Sequence, residues 1–205
     1  MATGKGWAMF IQVFTGRVGD AAALEEVLDR WERELRPGAT GFLGATMGQT
    51  PDGRFVAVCR FESAEAARAN SERPEQGAWW AEAEKCFDGT VTFHDCPEVD
   101  TYRGGGSDEA GFVQVMQGHG DRDRLRELDS RFEPLLTETR PDLLGTVRAW
   151  DGDVYTEAAY FASEAEARAA EVQEPPPEMA AAMQEWQEAM GEVTWFDLPR
   201  PRLRT

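Results

Sequence analysis

Apolar positions in this chain first alternate, then recur at helical spacing, and the whole pattern occurs twice. The first alternation runs roughly from Trp7 to Thr15, with Met9, Ile11 and Val13 on one side and Phe10, Gln12 and Phe14 on the other. Successive strand side chains point to opposite faces, so this segment predicts a strand that is mainly apolar on both. Both faces therefore need cover. Residues 16–19 turn the chain, and Asp20 is placed to cap a helix. Leu24, Val27, Leu28, Trp31 and Leu35 then recur as one apolar helical face, which Pro37-Gly38 ends. Phe42–Met47 and Arg54–Phe61 predict two strands joined by the hairpin signal Thr50-Pro51-Asp52-Gly53. Ser63 opens a second helix over 64–70, which Pro74 interrupts and 75–87 resumes. Asp88-Gly89 leads into a last strand over 90–95.

The same series begins again a hundred residues on. Phe10-Ile11-Gln12-Val13-Phe14-Thr15-Gly16 corresponds to Phe112-Val113-Gln114-Val115-Met116-Gln117-Gly118, and Leu24 and Trp31 to Leu125 and Phe132. Phe61-Glu62-Ser63 corresponds to Phe161-Ala162-Ser163, and Gly89-Thr90-Val91-Thr92-Phe93 to Gly191-Glu192-Val193-Thr194-Trp195. The second set predicts strands near 111–118, 143–150, 154–161 and 192–198. Its helices are expected near 122–139, with Pro134 inside, and 163–190, broken at Pro175-Pro176-Pro177. An offset that drifts by one or two residues is what loop insertions in a repeat allow.

Each half therefore reads β-α-β-β-α-β, the ferredoxin-like unit. The expected organisation is repeat 1 over 1–97, a Gly-rich linker over 98–110 centred on Gly104-Gly105-Gly106-Ser107, repeat 2 over 111–198, and a basic tail over 199–205 that frays. A ferredoxin-like sheet carries helices on one face and must bury the other elsewhere. Two such units in one chain predict an α+β fold whose antiparallel sheets pack face to face as an eight-stranded barrel with helices outside. One chain then suffices as a monomeric pseudo-dimer; a homodimer paired through helices remains the alternative.

Charge narrows the partners. The net charge over 205 residues is −17, and the isoelectric point is about 4.5. Nucleic acids and anionic membranes attract basic surfaces, so neither is an expected partner. Cys59, Cys86 and Cys96 are odd in number and lack CxxC spacing, so neither a disulfide framework nor a zinc site is expected. The first fourteen residues hold one lysine and too short an apolar run for a signal peptide, and no stretch approaches the ~20 apolar residues of a membrane span. A cytoplasmic protein is the expectation. Loops and elbows for nucleotides, triad hydrolysis or HExxH zinc chemistry are missing from the sequence.

Arg60-Phe61-Glu62-Ser63-Ala64-Glu65-Ala66-Ala67-Arg68-Ala69-Asn70, then Arg73-Pro74-Glu75 and Trp79-Trp80, resembles the third-strand and second-helix signature of the antibiotic biosynthesis monooxygenase-like group of the dimeric α+β barrel superfamily. Phe161-Ala162-Ser163-Glu164-Ala165-Glu166-Ala167-Arg168 is similar in the second half, without the Trp pair. The resemblance covers nearly the whole chain as a tandem copy. It implies a pocket in each half between the sheet and the second helix. Members include cofactor-free oxygenases of polycyclic aromatics, haem degraders and isomerases. The His that haem degraders use as iron ligand falls at Asn70, and at Ala170 in the second half, which counts against haem and leaves no cofactor or metal expected.

Seven residues are candidates for chemistry. Asn70 stands at the family's site position and could donate to a carbonyl or a developing oxyanion, or be an ordinary Asn before a helix interruption. Arg60, among apolar neighbours on the third strand, could bind an acidic or phenolate group or be an edge charge. His94 is the candidate base at the end of a strand. Trp79 and Trp80 diverge by about 100° on a helix, so both cannot enter one core; they are candidate pocket walls or plain core filling. Gln12 and Gln114 occupy equivalent strand positions and could orient a ligand or satisfy one another across the barrel.

The function these features predict is a cofactor-free monooxygenase or related oxidoreductase acting on a small aromatic or polyketide-like molecule. The alternative is a non-enzymatic barrel that binds a small hydrophobic ligand or serves as a stress or accessory protein.

Overall fold

A computed structural model describes residues 9–204. Trp7 and Ala8, where the first strand was expected to begin, lie outside the described residues. The chain divides into two compact units, one of residues up to 99 together with the last few from 202, the other spanning 100–201.

In the first unit the elements are β1 (Phe10–Val18), α1 (Ala21–Arg30), β2 (Phe42–Gln49), β3 (Arg54–Phe61), α2 (Ala64–Ser71), α3 (Pro74–Ala83) and β4 (Phe87–Cys96). The local causes are those the sequence offers. Asp20 accepts a hydrogen bond from the Ala23 amide at 3.0 Å and Ser63 from the Ala66 amide at 3.2 Å, each satisfying a first-turn donor. Gly53 takes a φ of 87° in the hairpin turn between β2 and β3, which suits a residue without Cβ. Two boundaries differ from the sequence expectation. β1 continues through Gly16 to Val18, because a side chain at Gly16 would stand 2.8 Å from Phe87 and glycine lets β4 pass. The helix expected to reach residue 87 ends sooner, and Phe87 begins β4.

The second unit repeats the order with β6 (Phe112–His119), α4 (Arg122–Thr139), β7 (Leu143–Asp151), β8 (Val154–Phe161), α5 (Glu164–Glu171), α6 (Pro177–Met190) and β9 (Val193–Leu198). Asp121 and Ser163 cap α4 and α5 just as Asp20 and Ser63 cap their counterparts. Both halves also carry a bulge at the same place, between Phe42 and Gly44 and between Leu143 and Gly145.

Beside these elements stand two strands that the composition hid. β5 (Glu98–Tyr102) lies in the expected linker, and β10 (Arg202–Arg204) lies in the expected frayed tail. The sheet orders are β10-β2-β3-β1-β4 and β5-β7-β8-β6-β9, so each repeat's trailing segment forms an edge strand on the other repeat's sheet. The tail expectation is thereby corrected: Arg202, Leu203 and Arg204 pair with Met47, Thr46 and Ala45. Backbone pairing to a sheet edge is sequence-tolerant, which is why a short charged segment can take it.

Gly44 makes that pairing possible. Its φ is 137°, and a Cβ there would stand 2.1 Å from the Arg204 carbonyl oxygen. Gly44→Ala is expected to unseat β10 and to cost about 1–3 kcal/mol in backbone strain. Hydrogen exchange at residues 202–204 would read the release; unchanged protection there would show that the tail is held without the close approach.

Candidate functional site

The main core of the first unit is an apolar cluster that includes Phe14, Leu24, Leu28, Trp31, Leu35, Met47, Phe55, Trp79 and Phe87, beside a smaller one of Phe10, Phe61 and Ala67. It does not close completely. A cavity of about 270 Å³ lies between the sheet and its helices. β1 supplies Gln12 and Phe14, β2 Ala45 and Met47, β3 Cys59 and Phe61, and β4 Phe93; helices supply Leu28, Trp31, Asn70, Trp79 and Trp80, and β10 supplies Arg202 and Arg204. That is the size of a small-molecule site rather than of a water pocket.

The walls are aromatic and mutually braced. Phe14 meets Trp80 edge-on at 5.5 Å and Phe93 at 5.6 Å, and Trp80 meets Phe93 edge-on at 5.0 Å. Trp31 meets Phe42 edge-on at 4.9 Å. At Trp31 the helix α1 passes into a π-helical turn over Trp31–Leu35, where the Arg36 amide reaches back to the Trp31 carbonyl. Such wide turns free carbonyls and re-aim side chains. The indole of Trp79 donates to the Val27 carbonyl at 2.8 Å, and that of Trp31 to Gln76 Oε1 at 2.8 Å. Both rings are thus fixed at their polar ends as well as by packing.

Asn70 and Gln12, both on the lining, are oriented by hydrogen bonds. Asn70, 7% exposed, accepts a hydrogen bond at Oδ1 from Arg73 at 3.0 Å. Arg73 is itself held by the Leu35 carbonyl and Glu75. A guanidinium is donor-only, so this contact fixes which end of the amide is oxygen. Its Nδ2 has no protein partner among the described residues. Gln12 donates from Nε2 to Asp95 at 2.9 Å, which leaves its carbonyl end as an acceptor. Cys59 lies on the lining too, and burial pushes its thiol up to about 12, so it remains protonated in neutral solution.

The remaining candidates fall elsewhere. Arg60 alternates with Cys59 and Phe61 on β3, so it occupies the opposite face and does not line the cavity. It is 9% exposed and donates to the Arg204 carbonyl at 3.1 Å, pinning the tail. His94 alternates with Phe93 in the same way and pairs with Val13, away from the cavity. Gln114 belongs to the second unit, where it donates to Asp197 at 2.9 Å. Each glutamine donates to the aspartate directly opposite it on its own repeat's last strand. That register was the sequence signal, Gln12 with Asp95 and Gln114 with Asp197 at one separation in both halves.

The second unit fills the corresponding place with charge. In register, Arg148 stands where Met47 does and Glu157 where Ala57 does, and Asp129 follows Leu125 as Leu28 follows Leu24. Arg148 and Glu157 have side chains 3% and 4% exposed and meet at 2.6 Å; Asp129 closes the triad at 2.5 Å. Burial pushes Asp129 above the usual carboxylate range, against the opposing pull of Arg148. The apolar core of this unit consists of one cluster with Phe112, Leu143, Ala159 and Phe161 and another with Leu125, Trp150, Tyr155 and Met190. On the β8 face that reads Tyr155, Glu157, Ala159, Phe161, the carboxylate falls between the two.

No protein-family model and no curated protein matches the sequence. Solved structures do match. One is a proposed monooxygenase from Fusobacterium nucleatum, with a TM-score of 0.73, 8% identity, and 97% of this chain and 94% of that one covered. Another is a proposed monooxygenase from Lactobacillus acidophilus, with a TM-score of 0.68, 10% identity and coverage of 97% and 96%. A third is an anthrone oxidase-like protein, with a TM-score of 0.68, 11% identity and coverage of 96% and 93%. Over nearly its whole length the chain shares the fold of these three proteins, and its two repeats follow one element order. At such identities the likeness is one of fold, and residue roles rest on the cavity itself. Among the described residues, no helix is long and apolar enough to cross a membrane, and no group of three His, Cys, Asp or Glu side chains is arranged to hold a metal.

Proposed function

We propose that the first repeat is an oxygenase that works without a bound cofactor on a hydroxylated polycyclic aromatic, and that the second repeat is a structural copy. The observation that carries this reading is the aromatic-walled cavity with one oriented, unpartnered amide donor, Asn70 Nδ2. An acidic phenol or enol that loses its proton becomes an electron-rich anion able to react with oxygen directly. The protein then supplies a dry site, flat ring contacts and a donor for the anion. Glu32 is the carboxylate on the lining and would receive the proton. Likeness in fold to an anthrone oxidase-like protein makes an anthrone the first substrate to try.

The test is oxygen uptake with anthrone beside a melting curve with the same compound. Consumption of oxygen with a raised melting temperature is the expected result, with one ligand bound per chain by calorimetry. A second reading, ligand binding without turnover, is favoured by the state of Glu32: Arg36 holds one carboxylate oxygen at 3.1 Å and Arg204 approaches the other at 3.5 Å. A melting shift with no oxygen uptake would establish that reading instead. Neither effect with any polycyclic aromatic would remove both.

A further inference from the structure

The tail strand brings the cavity something its apolar walls do not require: cationic side chains. Arg202 and Arg204 alternate with Leu203 on β10, so both project to the helix side of the sheet, and both line the cavity. They differ in how they are held. Arg202 is 16% exposed and clamped between Glu25 and Asp29 on α1. Arg204 is 38% exposed; its Nη1 donates to the Leu203 carbonyl at 2.9 Å, and its Nε lies 3.5 Å from Glu32. Its Nη2 has no partner among the described residues.

We propose that Arg204 makes this a site for aromatic acids, molecules with a flat ring body and an anionic group directed at β10; the inference rests on the cavity of the first repeat being a ligand site. The exchange of partners is chemically simple. An incoming carboxylate or sulfonate takes Nε and Nη2 of Arg204 in the paired geometry that a guanidinium offers. Glu32 then loses only its long contact, because Arg36 keeps its other oxygen at 3.1 Å. No buried carboxylate is left uncompensated, so the swap avoids the penalty that normally follows from removing one member of an ion pair. Arg202, already clamped by two carboxylates, serves to seat the strand.

The counterpart in the second unit carries the opposite charge. There β5 contributes Asp100, which accepts from Arg126 at 2.9 Å and from the Trp150 indole at 2.8 Å. The cation beside that strand, Arg126, is already held by Asp100, so the selectivity is expected of the first repeat.

The experiment compares 2-naphthoate with 2-naphthamide, matched in shape and different in charge, by quenching of tryptophan fluorescence in the full chain. The expected result is tighter binding of 2-naphthoate by about tenfold or more, an advantage that falls with added salt and disappears in Arg204→Gln, while 2-naphthamide binds both proteins alike. Equal binding of the two ligands to the unaltered protein overturns the inference and leaves the ligand site standing. Binding of neither overturns both. An advantage for 2-naphthoate that persists in a folded R204Q assigns the selectivity to another cation and also overturns the inference. Should R204Q fail to fold, the salt-dependent preference of the unaltered protein decides the matter.

Discussion

Arg148→Met is expected to destabilise the second repeat by about 3–5 kcal/mol. The substitution is nearly isosteric and places in β7 the residue that β2 already uses at the equivalent position, so packing volume is not the cause. The cause is Glu157, whose side chain is 4% exposed and whose partner is gone. Asp129 is left in part-buried surroundings by the same stroke. Burial of an unpaired carboxylate costs far more than the pair contributed. The triple variant Asp129→Leu, Arg148→Met, Glu157→Ala reproduces the apolar set Leu28, Met47 and Ala57 of the first repeat. It is expected to be neutral or to gain about 1–4 kcal/mol, as replacements of whole buried ion clusters often do. Urea unfolding followed by circular dichroism separates the cases. An R148M protein as stable as the parent would mean that water reaches Glu157, and the reading of the Arg148–Glu157 pair as buried would fall with it.

The second large effect concerns Asn70. Asn70→Ala is expected to lower oxygen consumption with the aromatic substrate by about 10²–10³, the usual loss when one oriented oxyanion donor is removed. Stability should fall by only about 1 kcal/mol, because Arg73 keeps the Leu35 carbonyl and Glu75. Asn70→Asp makes the argument sharper. It preserves an acceptor for Arg73 and deletes the donor, so it should fold at least as well as the alanine variant and be no more active. Full activity in a folded N70D would assign the donor role to another polar group on the lining.

How much of this was legible in the sequence can be followed residue by residue. The eight strands of the two repeats and the breaks in their helices follow from local causes. Those causes are alternation along Ile11–Phe14, the caps Asp20 and Ser63, the Thr50–Gly53 turn, and the prolines at 74 and 175–177. A duplicated pattern also fixes a duplicated topology. Asn70 was readable as a site candidate from the family resemblance, Gln12 from strand alternation, and Trp79 and Trp80 as pocket walls or core filling; all four line the cavity. Arg60 and His94 were misplaced by one step of that same periodicity: each is adjacent to a lining residue and therefore points away from it.

What the sequence by itself determined, then, is the repeat, its elements, and an inner face rich in aromatics. Three things were decided only by tertiary structure. The strands β5 and β10 form through backbone hydrogen bonds to distant sheet edges, and such bonds leave no mark in local composition. The wide turn at Trp31–Leu35 places Trp31 through packing against Phe42 and the bond to Gln76, not through propensity. And the contrast between an apolar set in the first repeat and a charged one in the second depends on Asp129, Arg148 and Glu157 meeting across a helix and two strands. Separated in sequence they read as ordinary surface charges; only their convergence removes them from water and makes pairing the condition of folding.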